Sequence, residues 1–537
     1  MTNKPSSENL SQGTGRSTST EKNDPTLTDS KSDFERVEAR IEKKIRKYSA
    51  AEITIFGFLA VILVGSFAVY LTENIGGQSL SVVDAVFMST SAVCVTGLAS
   101  VDFSEWSFAG QVVIMVLIQI GGYGVVTAFR LLWVGRASDL SPGSAMTLES
   151  LLDVEGGRTT LLQILASTAK LTLAFEFLGF LVMYGHLKTH LPEDVSALWF
   201  SVFHTVSAFN NAGFGLYSDS LVQFQGDKVL NLIIAAQIIV GGIGYPVLLG
   251  LERLALLIIH RAFSFTEVVV EMVAIRKPER LPFIEPVYNL IDRARIRAKS
   301  INEELAGVAS PLQMKIVIYG TLFLIATGMA FTLLFEHNDP NSLGMMTMGD
   351  KLMAAFFQSV TTRTAGFNTV DIATLQTRTL LMFILLMFIG AGPQGTAGGI
   401  KIPTFVTMLG YIRSSFRGRN RVSIYRYVVS KVSVANAVKL YVMSSTFVCA
   451  ATLLMAAVES QFSLMQMTFE VVSAFGTVGL STGITTYLSA ASKILLVLTM
   501  FTGRVGLLTI GSAIIKPLRE AAPTGAWKDD GMKLQIG

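Results

Sequence analysis

Four times along this chain an apolar segment of only 13 or 14 residues ends in a glycine-centred turn, with a longer apolar run on either side. The short segments are 82–95 (VVDAVFMSTSAVCV), 196–209 (SALWFSVFHTVSAF), 350–362 (DKLMAAFFQSVTT) and 464–476 (LMQMTFEVVSAFG). The turns read CVTGLASVD (94–102), NNAGFGLYSDS (210–220), RTAGFNTVD (363–371) and GTVGLSTGI (476–484). A helix needs roughly 20 apolar residues to cross a hydrocarbon core about 30 Å thick. The short segments can therefore enter a membrane but cannot span it. Aligning Gly97, Gly213, Gly366 and Gly479 places Leu, Phe, Phe and Leu next, and Ala92, Ala208, Thr361 and Ala474 five positions before. Small residues there allow helices to approach closely.

The long runs flanking these segments are 53–72, 109–134, 161–185, 229–250, 313–335, 378–390, 437–458 and 490–515. The second of each pair repeats a glycine motif: QIGGYG (119–124), QIIVGGIGYP (237–246), MFIGAGPQG (387–395) and MFTGRVG (500–506). The run at 378–390 is short and continues into glycine-rich sequence, which predicts a broken helix in the third unit. The fold class this gives is an all-α integral membrane protein. It consists of four tandem helix–pore-helix–filter-loop–helix repeats around one central ion pore. The repeats are expected at 51–135, 159–260, 313–413 and 436–516. A disordered cytoplasmic tail is expected at 1–35, a charged cytoplasmic helix at 36–50, a basic cytoplasmic loop at 261–312 and a cytoplasmic tail at 517–537.

Composition agrees with a polytopic membrane protein: 51% of the 537 residues are hydrophobic and 15% charged, against about 25% charged in soluble proteins. A net charge of +4 gives no ground for a nucleic-acid partner. The placement of charge is more informative. Lys and Arg concentrate at 36–47, 253–299 and 413–431, whereas connections inside the repeats carry Glu73, Asp102, Glu105, Glu193, Asp194, Glu336 and Asp339. Positive charge stays on the cytoplasmic side, so both termini are expected inside and the glycine turns toward the outside. Residues 2–32 are polar and lack the apolar core of a signal peptide. Cys94 and Cys449 lie 355 positions apart and read as unpaired thiols.

Irregular backbone at membrane depth must be buried in protein or line a watery cavity. Four glycine turns arranged symmetrically meet that demand by lining one pathway. Glycine's access to positive φ lets successive carbonyls face an axis, and rings of carbonyls replace the hydration shell of an alkali cation. Short helices whose C-terminal, negative dipole ends meet at the turns favour a cation there. The sequence offers no ring of carboxylates, so carbonyls must coordinate, with the Thr96 and Thr477 hydroxyls as candidates.

The four registered motifs, the broken helix followed by GTAGGIK (395–401) and GRVG in the last helix resemble the Trk/Ktr/HKT superfamily of potassium transporters. The resemblance covers about residues 50–516 and is closest to the bacterial Ktr-type membrane subunit. It implies potassium uptake across the plasma (inner) membrane, with no enzymatic activity. By match, the filter would comprise Val95, Thr96 and Gly97; Asn211, Ala212 and Gly213; Thr364, Ala365 and Gly366; and Thr477, Val478 and Gly479. Sodium-selective relatives often carry Ser where Gly97 stands, which points this chain toward potassium. The resemblance also makes 390–401 an intramembrane gating loop, with Gly390, Gly392, Pro393, Gly395, Thr396, Gly398, Gly399 and Lys401. Arg504 matches a pore-facing arginine beneath the filter. Potassium is the implied cargo, with sodium an alternative coupling or activating ion, and no organic cofactor is expected on this chain. The implied partners are membrane lipid, a second copy in a homodimer and separate cytosolic nucleotide-binding regulatory subunits. A sodium-permeable transporter of the same superfamily is the alternative, ahead of a secondary transporter of an organic solute.

Other signals have plainer readings. Residues 390–395 match G-x-G-x-x-G but lack the flanking strand and distal acid of a dinucleotide site. His186 and His190 share a helix face without a third ligand and read as a polar helix end. Cys94 reads as packing behind the filter. Asp84, Arg363 and Glu470 stand close to the filter, each either satisfying local groups or shaping it. Glu176, inside a span, finds no obvious partner in the sequence.

Overall fold

The computed structural model describes residues 50–77, 79–124, 157–189, 196–256, 258, 310–419 and 421–521. The expected tail at 1–35, the charged helix at 36–50 apart from Ala50, nearly all of the 261–312 loop, His190 and the tail beyond 521 lie outside these residues. The described chain is almost entirely helical. In order, it forms α1 (Ala50–Ile75), α2 (Val82–Val93), α3 (Phe108–Tyr123), α4 (Gly157–Leu187), α5 (Ala197–Phe209) and α6 (Lys228–Ile243), then α7 (Tyr245–Leu256). There follow α8 (Pro311–Glu336), α9 (Met348–Thr361), α10 (Thr377–Phe388) and α11 (Ile402–Phe416). A two-stranded hairpin, β1 (Ser423–Ile424) and β2 (Tyr427–Val428), leads to α12 (Lys431–Val458), α13 (Leu464–Gly476), α14 (Ala490–Val505) and α15 (Leu507–Ala521). Among the described residues, four helices are long and apolar enough to cross a membrane, Ala51–Ile75, Ala166–Leu187, Pro311–Glu336 and Lys431–Val458, or six if each of two bent helix pairs counts as one span.

The short helices α2, α5, α9 and α13 have 12, 13, 14 and 13 residues. At 1.5 Å per residue each is roughly 18–21 Å long. All four start on a hydroxyl cap. Ser81, Ser196, Thr347 and Ser463 accept from the backbone N–H of Asp84, Trp199, Asp350 and Gln466, and Gln466 completes a capping box. Such caps satisfy an orphan helix donor and define where the helix begins.

A polar tie joins the first and second long helix of every unit at the same level. Glu73 accepts from the N–H (3.2 Å) and Oγ (2.8 Å) of Ser107, the N-cap of α3. Glu336 accepts from the Gln376 N–H at 3.0 Å, and Glu459 from the Ser489 N–H at 2.8 Å. In the second unit the polarity is exchanged: His186 of α4 contacts Asp227, the N-cap of α6, at 2.8 Å. His186 is thus part of a helix-to-helix tie.

The second helix of each unit packs on the short helix of the next: α3 on α5, α6 on α9, α10 on α13, and α14 back on α2. The last contact closes the cycle. There, Lys493 of α14 forms a 2.7 Å ion pair with Asp84 of α2, their side chains 11% and 15% exposed. Removing one partner of a buried pair leaves the other charge desolvated and alone. Lys493→Met is expected to cost about 3 kcal/mol, read as a lower melting temperature in detergent with Asp84→Asn/Lys493→Met recovering part of the loss. An unchanged melting temperature for the single variant would show that the seam does not depend on this pair.

The sequence placed one break, in the third unit. The structure corrects this. The run expected at 229–250 bends by 107° between α6 and α7, and that at 490–515 by 95° between α14 and α15. The α3 helix closes on Gly124 as its C-cap, and residues 125–134 of the run expected at 109–134 lie outside the described residues. Gly124, Gly244 and Gly506 have φ of 78°, 88° and 90°, a region closed to most side chains. At each of these positions a glycine forms the C-cap where the helix ends.

Candidate ion-coordination site

The short helices point their C-terminal ends at one another, and the four turns meet there. In every turn the registered glycine and the residue two before it have positive φ. The glycines are at 90°, 71°, 85° and 92° for Gly97, Gly213, Gly366 and Gly479, and two residues earlier Val95, Asn211, Thr364 and Thr477 lie at 49°, 57°, 70° and 49°. The left-handed region costs a non-glycine residue on the order of 1–3 kcal/mol and persists only where surroundings impose it. Four such residues in one register mark an imposed geometry.

The glycines interlock. A Cβ added to Gly97 would fall on the carbonyl oxygen of Ala212, one on Gly213 on that of Ala365, one on Gly366 on that of Val478, and one on Gly479 on that of Thr96. The contact order runs once through all four units and closes on the first. Each side of the ring is thus glycine because its neighbour's carbonyl occupies the space. The sequence-predicted residues of the four turns come together here, all with little or no exposure at Val95, Thr96, Asn211, Ala212, Thr364, Ala365, Thr477 and Val478. Among the described residues, the hydroxyls of Thr96, Thr364 and Thr477 have no hydrogen-bond partner.

Behind the turns, sequence reasoning missed a recurring serine. The backbone N–H of Gly97 donates to Ser91 Oγ at 3.0 Å and that of Gly479 to Ser473 Oγ at 3.1 Å. Ser207, in the same register, donates to the Phe214 carbonyl at 2.8 Å; the third unit has Val360 there. The signal was present as Ser six residues before three of the four glycines. Glycines on the second helices make the matching approach: a Cβ on Gly121, Gly241 or Gly503 would strike the carbonyl of Val93, Phe209 or Phe475.

Three residues before each glycine the units diverge. Cys94 is fully buried among apolar side chains, consistent with packing. Asn210 donates to Glu176 Oε1 (3.0 Å), to Gln119 Oε1 (3.0 Å) and to the Val206 carbonyl (2.9 Å). Gln119 donates in turn to both oxygens of Glu176, at 3.0 and 3.3 Å. Glu176, which the sequence left unplaced, therefore anchors the second turn from behind through two amides. Arg363 is 4% exposed and donates to the carbonyls of Ile389 (3.0 Å) and Gly390 (2.5 Å), tying the third turn to the segment after α10. Glu470 accepts from Ser481 Oγ (2.5 Å), the Thr482 N–H (3.1 Å) and Thr485 Oγ1 (2.9 Å). It fixes the chain leaving the fourth turn.

Between α10 and α11, residues 389–401 are non-helical. The Gly390 N–H donates to the Ile400 carbonyl at 2.8 Å, pinching the segment into a loop, while the N–H groups of Gly392 and Thr396 donate to the carbonyls of Gly242 (2.9 Å) and Gly241 (3.2 Å). Thr396 Oγ1 donates to Asn211 Oδ1 at 2.9 Å. A Cβ on Gly398 would overlap the Thr477 side chain. The loop therefore lies directly against the ring. Arg504 donates to the Thr396 carbonyl and, at 2.6 Å, to the Gly121 carbonyl. Lys401 donates to the Ala397 carbonyl, and Pro393 and Gly395 sit against the α6–α7 bend.

Two cavities flank the arrangement. One, of about 500 Å³, is lined by all four ring glycines together with Asp102, Asp219 and Asp371. The sequence had offered no carboxylate ring; these three acids stand at the far ends of the first three turns, exposed in the cavity lining. The other, of about 360 Å³, is lined by Asn210, Gln394, Gly395, Thr396, Lys401 and Arg504, among others. Carbonyls and hydroxyls at the ring, carboxylates on one side and cations on the other together form a site suited to a bare monovalent cation.

Comparison with known proteins bears on what passes there. A family profile described as TrkH, cation transport protein, matches residues 38–268 and 311–520. Ktr system potassium uptake protein B of Bacillus subtilis (strain 168) is 32% identical over 466 residues, covering 86% of this chain and 92% of the relative. Potassium/sodium uptake protein NtpJ of Enterococcus hirae is 28% identical over 502 residues, covering 92% and 99%. Among solved structures, the potassium transporter TrkH of Vibrio parahaemolyticus shares the fold, with a TM-score of 0.60 at 16% identity over 86% of this chain and 85% of that one.

Proposed function

This chain belongs to the TrkH family of cation transport proteins, and from that membership we propose that it takes up potassium across the plasma membrane as the translocating subunit of a Ktr-type system. It is a transport protein and not an enzyme. The observation that carries the reading is the cyclic closure of the four glycine turns, each against the next unit's carbonyl. In this reading the ring is the selectivity filter of a single-chain pore, and Val95 to Gly97, Asn211 to Gly213, Thr364 to Gly366 and Thr477 to Gly479 supply its four walls. The aspartate-lined cavity faces outward and gathers cations by attraction. The Arg504-lined cavity faces the cytoplasm.

The loop 390–401 is the gate. It obstructs the inner end of the ring, and its hydrogen bonds to Gly241, Gly242 and Arg504 can be exchanged by a change in its surroundings. Cytosolic regulatory subunits are the expected source of that change, and a homodimer the expected membrane assembly. The names of the relatives support a multi-component potassium system, and that of the Enterococcus protein adds sodium as a second ion.

Expression in a cell stripped of its own potassium systems tests the function directly. Growth at low potassium and rubidium uptake should be restored; failure with the protein present in the membrane, together with its cytosolic partners, would sink the proposal. Gly97→Ser tests the filter. A Ser side chain at φ 90° would push the Ala212 carbonyl out of the ring. Discrimination of potassium from sodium is expected to fall by roughly tenfold, the equivalent of about 1.4 kcal/mol. Unchanged competition by sodium would place selectivity elsewhere.

A further inference from the structure

The sequence from Ile402 to Val458 contains seven Lys or Arg and no Asp or Glu. Its middle is folded. Tyr425 and Arg426 at the tip have φ of 47° and 70°, the paired left-handed geometry of a tight two-residue hairpin. The ladder pairs Ser423 with Val428 and Ile424 with Tyr427. Ser414 Oγ of α11 donates to the Arg421 carbonyl at 3.0 Å, and the Val429 N–H to the Val422 carbonyl at 2.9 Å. Gly410 leaves room for Val422 and Ile424, and the Tyr425 ring lies 6.0 Å from that of Tyr319 on α8. The hairpin is thereby fixed against two helices.

Between this hairpin, the end of α11 and the start of α12 lies a groove of about 920 Å³. Buried or half-buried Val422, Val434 and Val438 give it an apolar wall, and exposed Arg419, Arg421 and Lys431 give it a cationic rim. Among the described residues, no acidic side chain lines it. Among the described residues none of these three cations has an ion-pair partner. Exposed Tyr411 lines it, and exposed Tyr427 adjoins the lining residue Val428; tyrosine is a residue type that settles at a membrane–water interface. The groove opens where α12, a helix long enough to span, begins.

We propose that this groove is a binding site for an anionic phospholipid, whose phosphate is held by Arg419, Arg421 and Lys431 and whose acyl chains lie along the Val434–Val438 face of α12. Guanidinium groups donate paired hydrogen bonds to phosphate oxygens, and basic pockets between membrane helices hold anionic headgroups. The apolar wall selects a lipid over free phosphate or a soluble acidic peptide, because only a lipid brings both a phosphate and a hydrocarbon chain to this level. The inference needs the chain to sit in a bilayer and does not need the ring to conduct. The site also has a route to the loop. The α11 helix starts at Ile402, immediately after the loop, and ends at the groove.

The test uses the full-length protein in mixed micelles doped with equal amounts of phosphatidylglycerol or phosphatidylcholine, with bound lipid counted by native mass spectrometry. Phosphatidylglycerol should be retained and phosphatidylcholine should not. Arg419→Gln/Arg421→Gln/Lys431→Gln should weaken that retention by roughly 100-fold, on the scale set by three cations near an anionic lipid. The control is Arg413→Gln/Arg417→Gln, in the same basic stretch but outside the groove, which should keep the lipid. Equal loss in both variants would mean diffuse attraction, and equal retention in the triple variant would mean the lipid binds elsewhere; either overturns the proposal. Loss of cytosolic-subunit copurification in the triple variant, with lipid retention unchanged, would make the groove a protein-docking surface and overturn it as well. Matching melting temperatures establish that each variant is folded.

Discussion

Gly479→Asp abolishes rubidium uptake while leaving the amount of protein in the membrane unchanged: that is the largest effect expected from the ring. Two costs combine. Gly479 sits at φ 92°, and any Cβ there would coincide with the Thr96 carbonyl oxygen. That carbonyl must move, and with it the seam between the fourth unit and the first. Strain at a left-handed non-glycine residue alone is on the order of 1–3 kcal/mol. The carboxylate adds a fixed charge inside a ring built from dipoles, which would hold a cation rather than pass it. Gly77 provides the control, having the same φ of 92° with nothing within 4 Å of an added Cβ. Gly77→Asp should transport normally. Uptake by Gly479→Asp at the unsubstituted rate would show that ions do not pass through this ring.

Arg504→Gln is expected to act in the opposite direction and raise uptake. The guanidinium ties the loop, through the Thr396 carbonyl, to the first unit, through the Gly121 carbonyl. It is also a positive charge lining the cavity beneath the ring. A charge about 6 Å from a permeating cation costs it roughly 3 kcal/mol at an effective dielectric near 20, so a rise of roughly tenfold in maximal uptake is expected after partial screening. Hydrogen bonds to a charged donor contribute about 1.5–3 kcal/mol each, and their loss frees the loop. Uptake should accordingly depend less on the proposed cytosolic partner. Initial rubidium uptake, measured with and without that partner, decides the matter. A fall in uptake with protein intact would mean that Arg504 holds the ring in shape instead of closing the path.

Much of the ring could be read from the chain because its geometry has a chemical signature. A backbone at positive φ, pressed against a neighbour's carbonyl, admits glycine alone, so Gly97, Gly213, Gly366 and Gly479 stand out once aligned. Residues 390–401 stood out for the same reason, being too rich in glycine for a helix. The bends at Gly244 and Gly506 escaped notice because glycines are frequent in membrane helices, and only the tertiary setting shows which of them takes a positive φ. Glu176 escaped because its partners, Gln119 and Asn210, lie 57 and 34 positions away. Nothing local to α4 announces them. Arg363 was legible as a brace near the third turn, but its partners, two backbone carbonyls of the loop, carry no side-chain signal at all.

The cyclic order of the ring has a consequence for how such a chain is made. Each wall rests on the unit that follows, and the fourth rests on the first, so the circle stays open until residues near 480 and 493 meet those near 96 and 84. During synthesis the first three units can enter the membrane without enclosing a conduit. A nascent or truncated chain therefore holds no closed ring, and the last segment inserted is the one that closes it.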